Sequence, residues 1–480
     1  MTPERRRLLI ALVAAVVVLG PLAYFWQASL LPNNYSVMDM GYADSGGGPG
    51  TMTDHRLNGI SVADLVADPD RPADVNVTLT VRKERFRLST GEEVDGYTVN
   101  HTSPGPVIHA VQGQLVQVRL VNGSVPDGVT LHWHGVDVPN ADDGVAGVTQ
   151  NAVQVGKSFT YRFVADHAGT YWYHSHQVSH AQVQGGLFGA LVVSPPTPEP
   201  EVRDQLAVLH VYHGIATVNG ASGTVPVDVP DGQRVRVRVV NTDNGATPVW
   251  VSGGPYRVLA VDGYDLNGPT PVSGKTVRLT AGGRVDLEVT APARVELGGA
   301  TALALGSGVQ AAPQPTALVD LLHYGTPAPL GFDPSHADRT FEYSIGRRPG
   351  FLDGRPGLWW SINGHLFPDV PMFVVEEGDV VRMHISNHSG AAHPMHLHGH
   401  HAVVLGRDGV KATGSPWWID SLDVGSGHSF DIAFVADNPG IWMDHCHNLP
   451  HAAQGLVAHL MYAGVTEPFR VGGASANEPE

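Results

Sequence analysis

A ten-residue pattern that occurs three times along the chain constrains its fold more than any other feature. The copies are GQLVQVRLVN at 113–122, GQRVRVRVVN at 232–241 and GDVVRMHISN at 378–387. Each copy starts with a glycine suited to a turn, alternates its side chains as a half-buried strand does, and ends on a turn-forming asparagine. Three such copies predict three related β-domains, each of about 120 residues, which is a size suited to a Greek-key β-sandwich.

A second, longer repeat relates the first and third copies. The main positions of 158–176 recur 271 residues later in 429–447, with Ser175 in the place of Cys446. The middle copy has Pro-Val-Trp-Val at 248–251 where its neighbours carry pairs of histidines. We therefore expect the middle domain to be structural and any metal ligands to come from the first and third domains, which must then pack against each other.

Composition agrees with a chain of short strands and many turns. Glycine and proline number 57 and 36, as expected of an all-β protein. The expected segments are an N-terminal hydrophobic anchor or export signal at 1–29, a linker or arm at 30–74, β-domains at 75–197, 203–326 and 338–467, and a tail at 468–480.

Histidine pairs separated by one residue are the strongest functional signal. With 26 histidines in the chain, chance gives roughly 1.4 such pairs, and five are present, at 132/134, 174/176, 396/398, 398/400 and 445/447. The only cysteine, Cys446, lies inside the last pair. A lone cysteine is usually a buried structural residue, but a cysteine with two histidines is the ligand pattern of a blue-copper site. The histidines exceed what zinc sites need, so the motifs indicate copper, and more than one ion.

Strand geometry gives Cys446 and its neighbours different partners. Successive side chains of a strand point to opposite faces. If 445–447 is a strand, His445 and His447 face one way and Cys446 the other. Three adjacent residues then serve two metal centres.

These motifs, in this order and with this internal spacing, resemble the multicopper oxidases, which include laccases, cuprous oxidases and bilirubin oxidases. The resemblance covers roughly residues 75–465 and implies three cupredoxin-like β-sandwiches, four copper ions and reduction of O2 to water. It implies a type 1 copper that accepts electrons at His393, Cys446 and His451, and a type 2 copper at His132 and His396. The implied type 3 ligands are His134, His174 and His447 on one ion and His176, His398 and His445 on the other.

Two positions depart from many bacterial members of the family. The axial position of the type 1 site is Leu456, where many members have methionine, so we expect a higher type 1 potential because leucine cannot ligate copper. Ala452 follows His451 where several members have a glutamate that supplies protons. Asp143, eleven residues after the first histidine of the motifs, matches an acidic family position and is the candidate donor, with a solvated loop aspartate as the alternative. Asp444 is a candidate for orienting His445, or else a turn carboxylate.

The N-terminus predicts export. Three arginines at 5–7 precede an uncharged run from Leu8 to Trp26, which is just long enough to span a bilayer with the arginines in the cytoplasm. We expect an anchor in the cell membrane, with a cleaved export signal as the alternative. In either case the catalytic part lies outside the cytoplasm, in the cell envelope. The net charge of −17 disfavours nucleic-acid binding and adhesion to anionic lipid.

The expected function is a laccase-like oxidase that takes electrons from phenols, aromatic amines or metal ions and passes them to O2. A cuprous or ferrous oxidase that serves copper tolerance is the first alternative, although Met383, Met395, Met443 and Met461 are dispersed rather than clustered. A non-enzymatic structural protein of the envelope is the alternative of another class. The complete set of ten histidines and one cysteine argues against that last reading.

Overall fold

A long N-terminal helix and a large set of β-strands make up this computed structural model, which describes residues 2–48, 59–197 and 201–480. The first helix, α1, has no buried residue, and the later helices of the described residues are short. Residues 49–58 of the predicted linker and 198–200 at the predicted first boundary lie outside the described residues. The helices are α1 (Pro3–Ala28), α2 (Ser179–Gln184) and α3 (Leu449–Ala452), and 3-10 turns span Val37–Asp39, Val62–Asp64, Asn140–Asp142 and Gly473–Ser475.

The strands follow the chain in four groups. The arm has β1 (Asn34–Tyr35), β2 (Tyr42–Asp44) and β3 (Ile60–Ser61). The first unit has β4 (Val75–Arg87), β5 (Glu93–Val99), β6 (Gly105–Val111), β7 (Leu115–Asn122), β8 (His132–His134), β9 (Ser158–Val164), β10 (Gly169–His174) and β11 (Phe188–Ser194). The second unit has β12 (Val202–Tyr212), β13 (Ile215–Val218), β14 (Ala221–Ser222), β15 (Thr224–Val227), β16 (Arg234–Asn241), β17 (Thr247–Ser252), β18 (Tyr256–Val261), β19 (Tyr264–Asp265), β20 (Val277–Leu279), β21 (Arg284–Thr290), β22 (Ala293–Leu297) and β23 (Thr301–Leu305).

The third unit carries the remaining strands. They are β24 (Arg339–Leu352), β25 (Arg355–Ile362), β26 (Pro371–Val375), β27 (Val380–Asn387), β28 (His393–Leu397), β29 (Ala402–Arg407), β30 (Val410–Lys411), β31 (Trp418–Ile419), β32 (Ser421–Val424), β33 (Ser429–Val435), β34 (Ile441–Cys446), β35 (Val457–Tyr462), β36 (Val465–Thr466) and β37 (Val471–Gly472).

Each unit contains two sheets. In the first unit the strand orders are β5-β4-β7-β9 and β6-β11-β10-β8. In the second they are β14-β13-β12-β16-β21-β18-β19 and β15-β23-β22-β17-β20, and in the third β25-β24-β27-β33-β29-β30 and β2-β26-β35-β34-β28-β32. Hydrophobic side chains such as Leu120, Val237 and Phe434 are buried in the cores of the three units. The predicted all-β class is confirmed.

The three copies of the ten-residue pattern form equivalent strands. β7, β16 and β27 each pair in parallel with the long strand that opens their unit, which is β4, β12 or β24. Each also pairs antiparallel with a later strand, which is β9, β21 or β33. The sequence repeat therefore corresponds to a repeated sheet topology, while the exact domain boundaries stay a prediction.

The predicted linker is attached to the third unit. Its short strands β1, β2 and β3 pair with β37, β26 and β36. Val37 and Val62 are buried in the core of that unit. These pairings tie α1 closely to the third unit, because α1 ends only a few residues before β1.

The asparagine that ends each copy of the pattern is fully buried and binds loop carbonyls. Nδ2 of Asn241 donates to Gly245 O at 2.8 Å and Thr280 O at 3.0 Å. Asn122 and Asn387 make matching bonds in the other two units. Each asparagine therefore has a role beyond its turn preference, since its side-chain amide donates to backbone carbonyls of adjoining segments.

Replacing Asn241 with alanine should lower the free energy of unfolding by about 1–3 kcal/mol, because buried carbonyls lose their donor. Denaturant unfolding followed by circular dichroism measures this change. The control is Asn76→Ala, at an exposed position, which should change stability by less than about 0.5 kcal/mol. Equal unfolding midpoints for the two variants would contradict the role of Asn241.

Candidate metal centres

One cysteine and two histidines meet in the core of the third unit. Sγ of Cys446, at the end of β34, lies 3.6 Å from Nδ1 of His393 and 3.7 Å from Nδ1 of His451. The two Nδ1 atoms are 3.2 Å apart. All three donor atoms therefore face a common point, and we call this set the cysteine site.

Burial makes the cysteine site suited to a metal rather than to protons. It lowers the pKa of His393 to about 3 and that of His451 to about 4, with Arg347 adding to both effects. These imidazoles are thus neutral, which is the form that binds metal. Burial also raises the pKa of the Cys446 thiol, so its thiolate needs a cation beside it.

Leu456 is bonded to the cysteine site through its backbone. It is fully buried, and its carbonyl accepts a hydrogen bond from the Cys446 N–H at 3.1 Å. A leucine side chain offers no donor atom, so the structure adds no fourth ligand from this position.

A second, larger group of imidazoles lies between the first and third units. Its members are buried, and their ring nitrogens form three sets within which the ligand atoms lie within 4.8 Å of one another. We call the eight residues the histidine cluster. The sets are His132, His396 and His398; His134, His174 and His447; and His176, His398 and His445.

Among the described residues, the nitrogens of the histidine cluster that are buried without a hydrogen-bond partner include four Nε2 atoms. These four atoms belong to His134, His174, His176 and His447. A buried polar atom left in this way costs about 1–3 kcal/mol, and bound metal would remove that cost. The donors present therefore fit copper ions, and imidazole is a ligand that copper prefers.

The other nitrogen of several rings is held by neighbouring groups. Nδ1 of His174 lies 2.9 Å from Ser175 O, and Nδ1 of His396 lies 2.9 Å from Asp420 O. Such contacts fix the tautomer so that Nε2 is free to bind metal. Burial lowers the pKa of His396 to about 4 and that of His445 to about 3, so these rings are also neutral.

Asp143 connects two rings of the histidine cluster. Its Oδ1 lies 3.0 Å from Nδ1 of His132 and 3.1 Å from Nδ1 of His398. Asp143 is fully buried, so the alternative of a solvated loop aspartate is wrong. A role as proton donor stays a prediction, whereas the contacts show that Asp143 orients two imidazoles.

Two groups of the middle unit reach the histidine cluster, although the unit has no histidine there. Arg284 is fully buried and donates from Nη1 to Oδ1 of Asp420 at 2.6 Å, and the same Nη1 lies 3.3 Å from Nδ1 of His134. A Cβ atom on Gly282 would lie 2.7 Å from Nε2 of His134. The expectation of a purely structural middle domain is therefore incomplete. No sequence signal identified Arg284, because it is one of several charged residues on alternating strands.

The 470–480 segment covers the other side of the histidine cluster. Gln177 binds its backbone, donating to Ala476 O at 2.8 Å and accepting from the Glu478 N–H at 2.9 Å. Pro479 O lies 3.0 Å from Nδ1 of His176.

The same segment supplies the carboxylate that contacts His445. Oε1 of Glu480 lies 3.0 Å from Nδ1 of His445, and its Oε2 accepts from Ser179 at 3.0 Å. Asp444 was the sequence candidate for this role, but alternation along β34 places it on the Cys446 face. Glu480 was missed because only tertiary structure brings it near the motif.

Trp360 and Arg347 of the long hairpin β24–β25 cover the outer side of the cysteine site. The Trp360 ring lies 4.6 Å from the ring of His393 and 4.5 Å from that of His451. The Arg347 guanidinium stacks on Trp360 at 4.1 Å. Nε2 of His393 is capped by Ser389 Oγ at 2.7 Å, so the half-buried His451 is the ring that faces outward.

Comparison with known proteins gives a consistent result. Two sequence profiles described as multicopper oxidase match residues 80–198 and 340–464, about half of the chain together. Multicopper oxidase MmcO of Mycobacterium tuberculosis is 28% identical over 84% of this chain and 91% of its own length. Laccase-1 of Botryotinia fuckeliana is 29% identical over 81% and 84%. The crystal structure of a multi-copper oxidase from Pseudomonas thermotolerans superposes with a TM-score of 0.68 and 28% identity, covering 82% of this chain and 100% of that one.

Replacing Asp143 with asparagine should weaken metal binding by the histidine cluster about 10–100-fold, because the neutral amide lacks the negative charge that strengthens both hydrogen bonds to the rings. Metal content measured during dialysis against a chelator shows the loss, and the cysteine site should keep its metal. The matched control is Asp142→Asn, since the Asp142 carboxylate contacts the Arg162 N–H instead. The same loss in both variants would contradict the assignment.

Replacing Glu480 with alanine should also lower the metal affinity of the histidine cluster, by about tenfold, because His445 loses the carboxylate at its Nδ1. The comparison is Glu478→Ala, since Glu478 is exposed and only its backbone contacts Gln177 and Val178. If both variants bind metal as tightly as the unmodified chain does, the Glu480 contact does not contribute to metal affinity.

Proposed function

This chain belongs to the multicopper oxidase family, and from that membership we propose that it oxidises small aromatic reductants outside the cytoplasm with O2 as the electron acceptor. It is a copper-dependent oxidoreductase, and members of its family bind one type 1, one type 2 and two type 3 copper ions. One observation carries the proposal. Strand β34 carries Cys446 of the cysteine site directly beside His445 of the histidine cluster.

We assign the ligands from the donor groups that the fold brings together. The cysteine site, His393, Cys446 and His451, would hold the type 1 copper. Bound copper supplies one-electron chemistry at this site and reduction of O2 to water at the histidine cluster. Within the cluster, the type 2 ligands would be His132 and His396, and the type 3 ligands would be His134, His174 and His447 on one ion and His176, His398 and His445 on the other.

The chain's own residues connect the two sites. Cys446 belongs to the cysteine site, and its neighbours His445 and His447 belong to the histidine cluster. With copper bound, the covalent path between the two sites would run from Sγ of Cys446 through the backbone to the side chain of His445 or His447. Asp143, Arg284 and Glu480 hold the cluster rings in place and complete a buried site.

The surroundings of His451 favour aromatic reductants over metal ions. No aspartate or glutamate of the described residues forms an ion pair with His393 or His451, and Arg347 places a positive charge beside both. The methionines of the third unit are buried and dispersed, so no surface thioether cluster offers a Cu(I) site there. A cation therefore meets repulsion without compensating ligands, whereas a neutral or anionic aromatic ring can stack on the exposed Arg347 guanidinium. Oxidation of Cu(I) or Fe(II) is the competing function.

The location of the enzyme is part of the proposal. Helix α1 has the length and mean hydropathy, 2.6, of a membrane-crossing segment, and it lies near the N-terminus, where export signals also occur. Arginines at 5–7 on its N-terminal side would stay in the cytoplasm. The copper-binding part then lies outside, anchored to the membrane, with release after cleavage as the alternative.

A panel of reductants separates the two functions. The protein should consume O2 when it is given neutral phenols or an anionic aromatic sulfonate, with one O2 consumed for four one-electron donors. O2 uptake should be slow with Fe(II) and Cu(I). Arg347→Glu should lower kcat/KM for the anionic reductant about three- to tenfold and raise it for Fe(II), because the charge beside His451 changes sign.

Arg348→Glu is the control for this charge reversal, since the Arg348 side chain binds Gly364 O rather than Trp360. Rapid turnover of Fe(II) or Cu(I) with poor turnover of phenols would reject the aromatic assignment in favour of a metal oxidase.

Replacing Leu456 with methionine should lower the potential of the type 1 copper, because a thioether stabilises Cu(II) by ligation. Redox titration of the blue absorption measures the potential. Leu422→Met, in the same core but on the edge strand β32, controls for the extra sulfur. An unchanged or raised potential in Leu456→Met would refute the axial argument.

A further inference from the structure

The long hairpin β24–β25 extends from the outer side of the cysteine site to the end of helix α1. Its strands pair from Ile345 opposite Ile362 to Leu352 opposite Arg355, with Arg347 opposite Trp360. Trp360 lies against the cysteine site, and the Asp353-Gly354 turn forms the other end. Trp360 lies five positions after Arg355, and five positions correspond to a distance of about 17 Å along a strand.

The hairpin turn is bonded directly to the segment that leaves α1. The N–H of Leu31 donates to Oδ1 of Asp353 at 3.2 Å, and the N–H of Asp353 donates to Ser29 O at 3.1 Å. The N–H of Gly354 donates to Ser29 Oγ at 3.1 Å. A Cβ on Gly354 would lie 3.0 Å from Nε1 of Trp26, and the φ of +70° at this position favours glycine.

If α1 spans a membrane, these bonds fix the position of the hairpin turn relative to the membrane surface. No residue of α1 is buried by the rest of the chain, and three exposed aromatic residues at 24–26 end its apolar run. Tyrosine and tryptophan at the end of a membrane-spanning helix lie at the level of the lipid headgroups. The turn at 353–354 contacts this level, because it touches Trp26 and Ser29.

The outer surface of the hairpin has the character of a segment that touches lipid. Leu358 is 54% exposed, and strand alternation places the exposed Arg347 on the same face of the hairpin, since Arg347 lies two positions from Pro349, the cross-strand partner of Leu358. Exposed apolar side chains beside basic ones are typical of surfaces that bind the interface of anionic bilayers. The hairpin is basic although the whole chain carries a net charge of −17.

We infer that the β24–β25 hairpin rests on the outer surface of the membrane and directs the His451 side of the cysteine site toward the bilayer. The reductants that it favours are lipophilic hydroquinones and phenols dissolved in that bilayer. This inference rests on the proposed oxidase function. Two hydroquinones lose four electrons and four protons to become two quinones, and one O2 takes up these electrons and protons to give two waters.

The position of the hairpin is tested on the full chain, loaded with copper, in lipid nanodiscs that contain anionic lipid. A fluorophore is attached at Leu358→Cys or, as the control, at Leu318→Cys, which is 51% exposed on the middle unit. Cys446 is fully buried and so resists labelling. Nitroxide on the lipid headgroups should quench the label at 358 severalfold more than the label at 318. Equal quenching would overturn the inference, and this readout requires no turnover.

The route of the reductant is tested by kinetics in the same discs with a long-chain hydroquinone and a water-soluble one. Leu358→Glu should lower the ratio of kcat/KM for the long-chain over the soluble hydroquinone about tenfold, whereas Leu318→Glu should leave the ratio unchanged. An unchanged ratio in Leu358→Glu would overturn delivery from the bilayer while leaving the oxidase function intact. Failure of the unmodified chain to oxidise either hydroquinone would instead reject the proposed function.

Discussion

The alternation of side chains along β34 is the constraint on which the two metal centres depend. A strand sends neighbouring side chains to opposite faces, so Cys446 meets His393 and His451 in the core of the third unit while His445 meets the rings between the units. Adjacent residues of one strand thus belong to the two sites. A helix at this position would spread the same three residues around its axis and could not connect the sites in this way.

Burial explains why the sites need both metal and supporting side chains. Neutral imidazoles packed together leave nitrogens without partners, and the surrounding charges must balance one another. The buried Arg284 and Asp420 form an ion pair beside His134. Breaking such a pair by removing one partner typically costs about 3–5 kcal/mol. The middle unit therefore stabilises the cluster electrostatically, although it supplies no histidine.

Local patterns in the sequence predict several strands and candidate metal ligands. The ten-residue repeat predicts β7, β16 and β27, because alternation and turn residues are properties of neighbouring positions. The histidine pairs indicate metal ligands for the same reason, while the division of these ligands into donor sets is what the resemblance to the multicopper oxidases implies. Leu456 was recognised by its distance from Cys446 along the chain.

The rest depends on contacts between distant segments. Arg284 approaches His134 from another unit, Glu480 approaches His445 from the tail, and Trp360 contacts His451 from the β24–β25 hairpin. Nothing in the residues around these positions distinguishes them from ordinary surface or strand residues. The linker was expected to be an arm between segments, and its pairing with β26, β36 and β37 emerges only from the folded chain.

The central claim is that one cysteine and ten histidines hold four coppers in two connected sites. The most direct test is copper content with the visible spectrum and electron paramagnetic resonance, for the copper-loaded chain and for Cys446→Ser. The account predicts four coppers and an intense blue band in the unmodified protein. In Cys446→Ser it predicts loss of that band with the type 2 signal retained. A variant that stays blue, or an unmodified folded protein that is colourless and poor in copper, would contradict it.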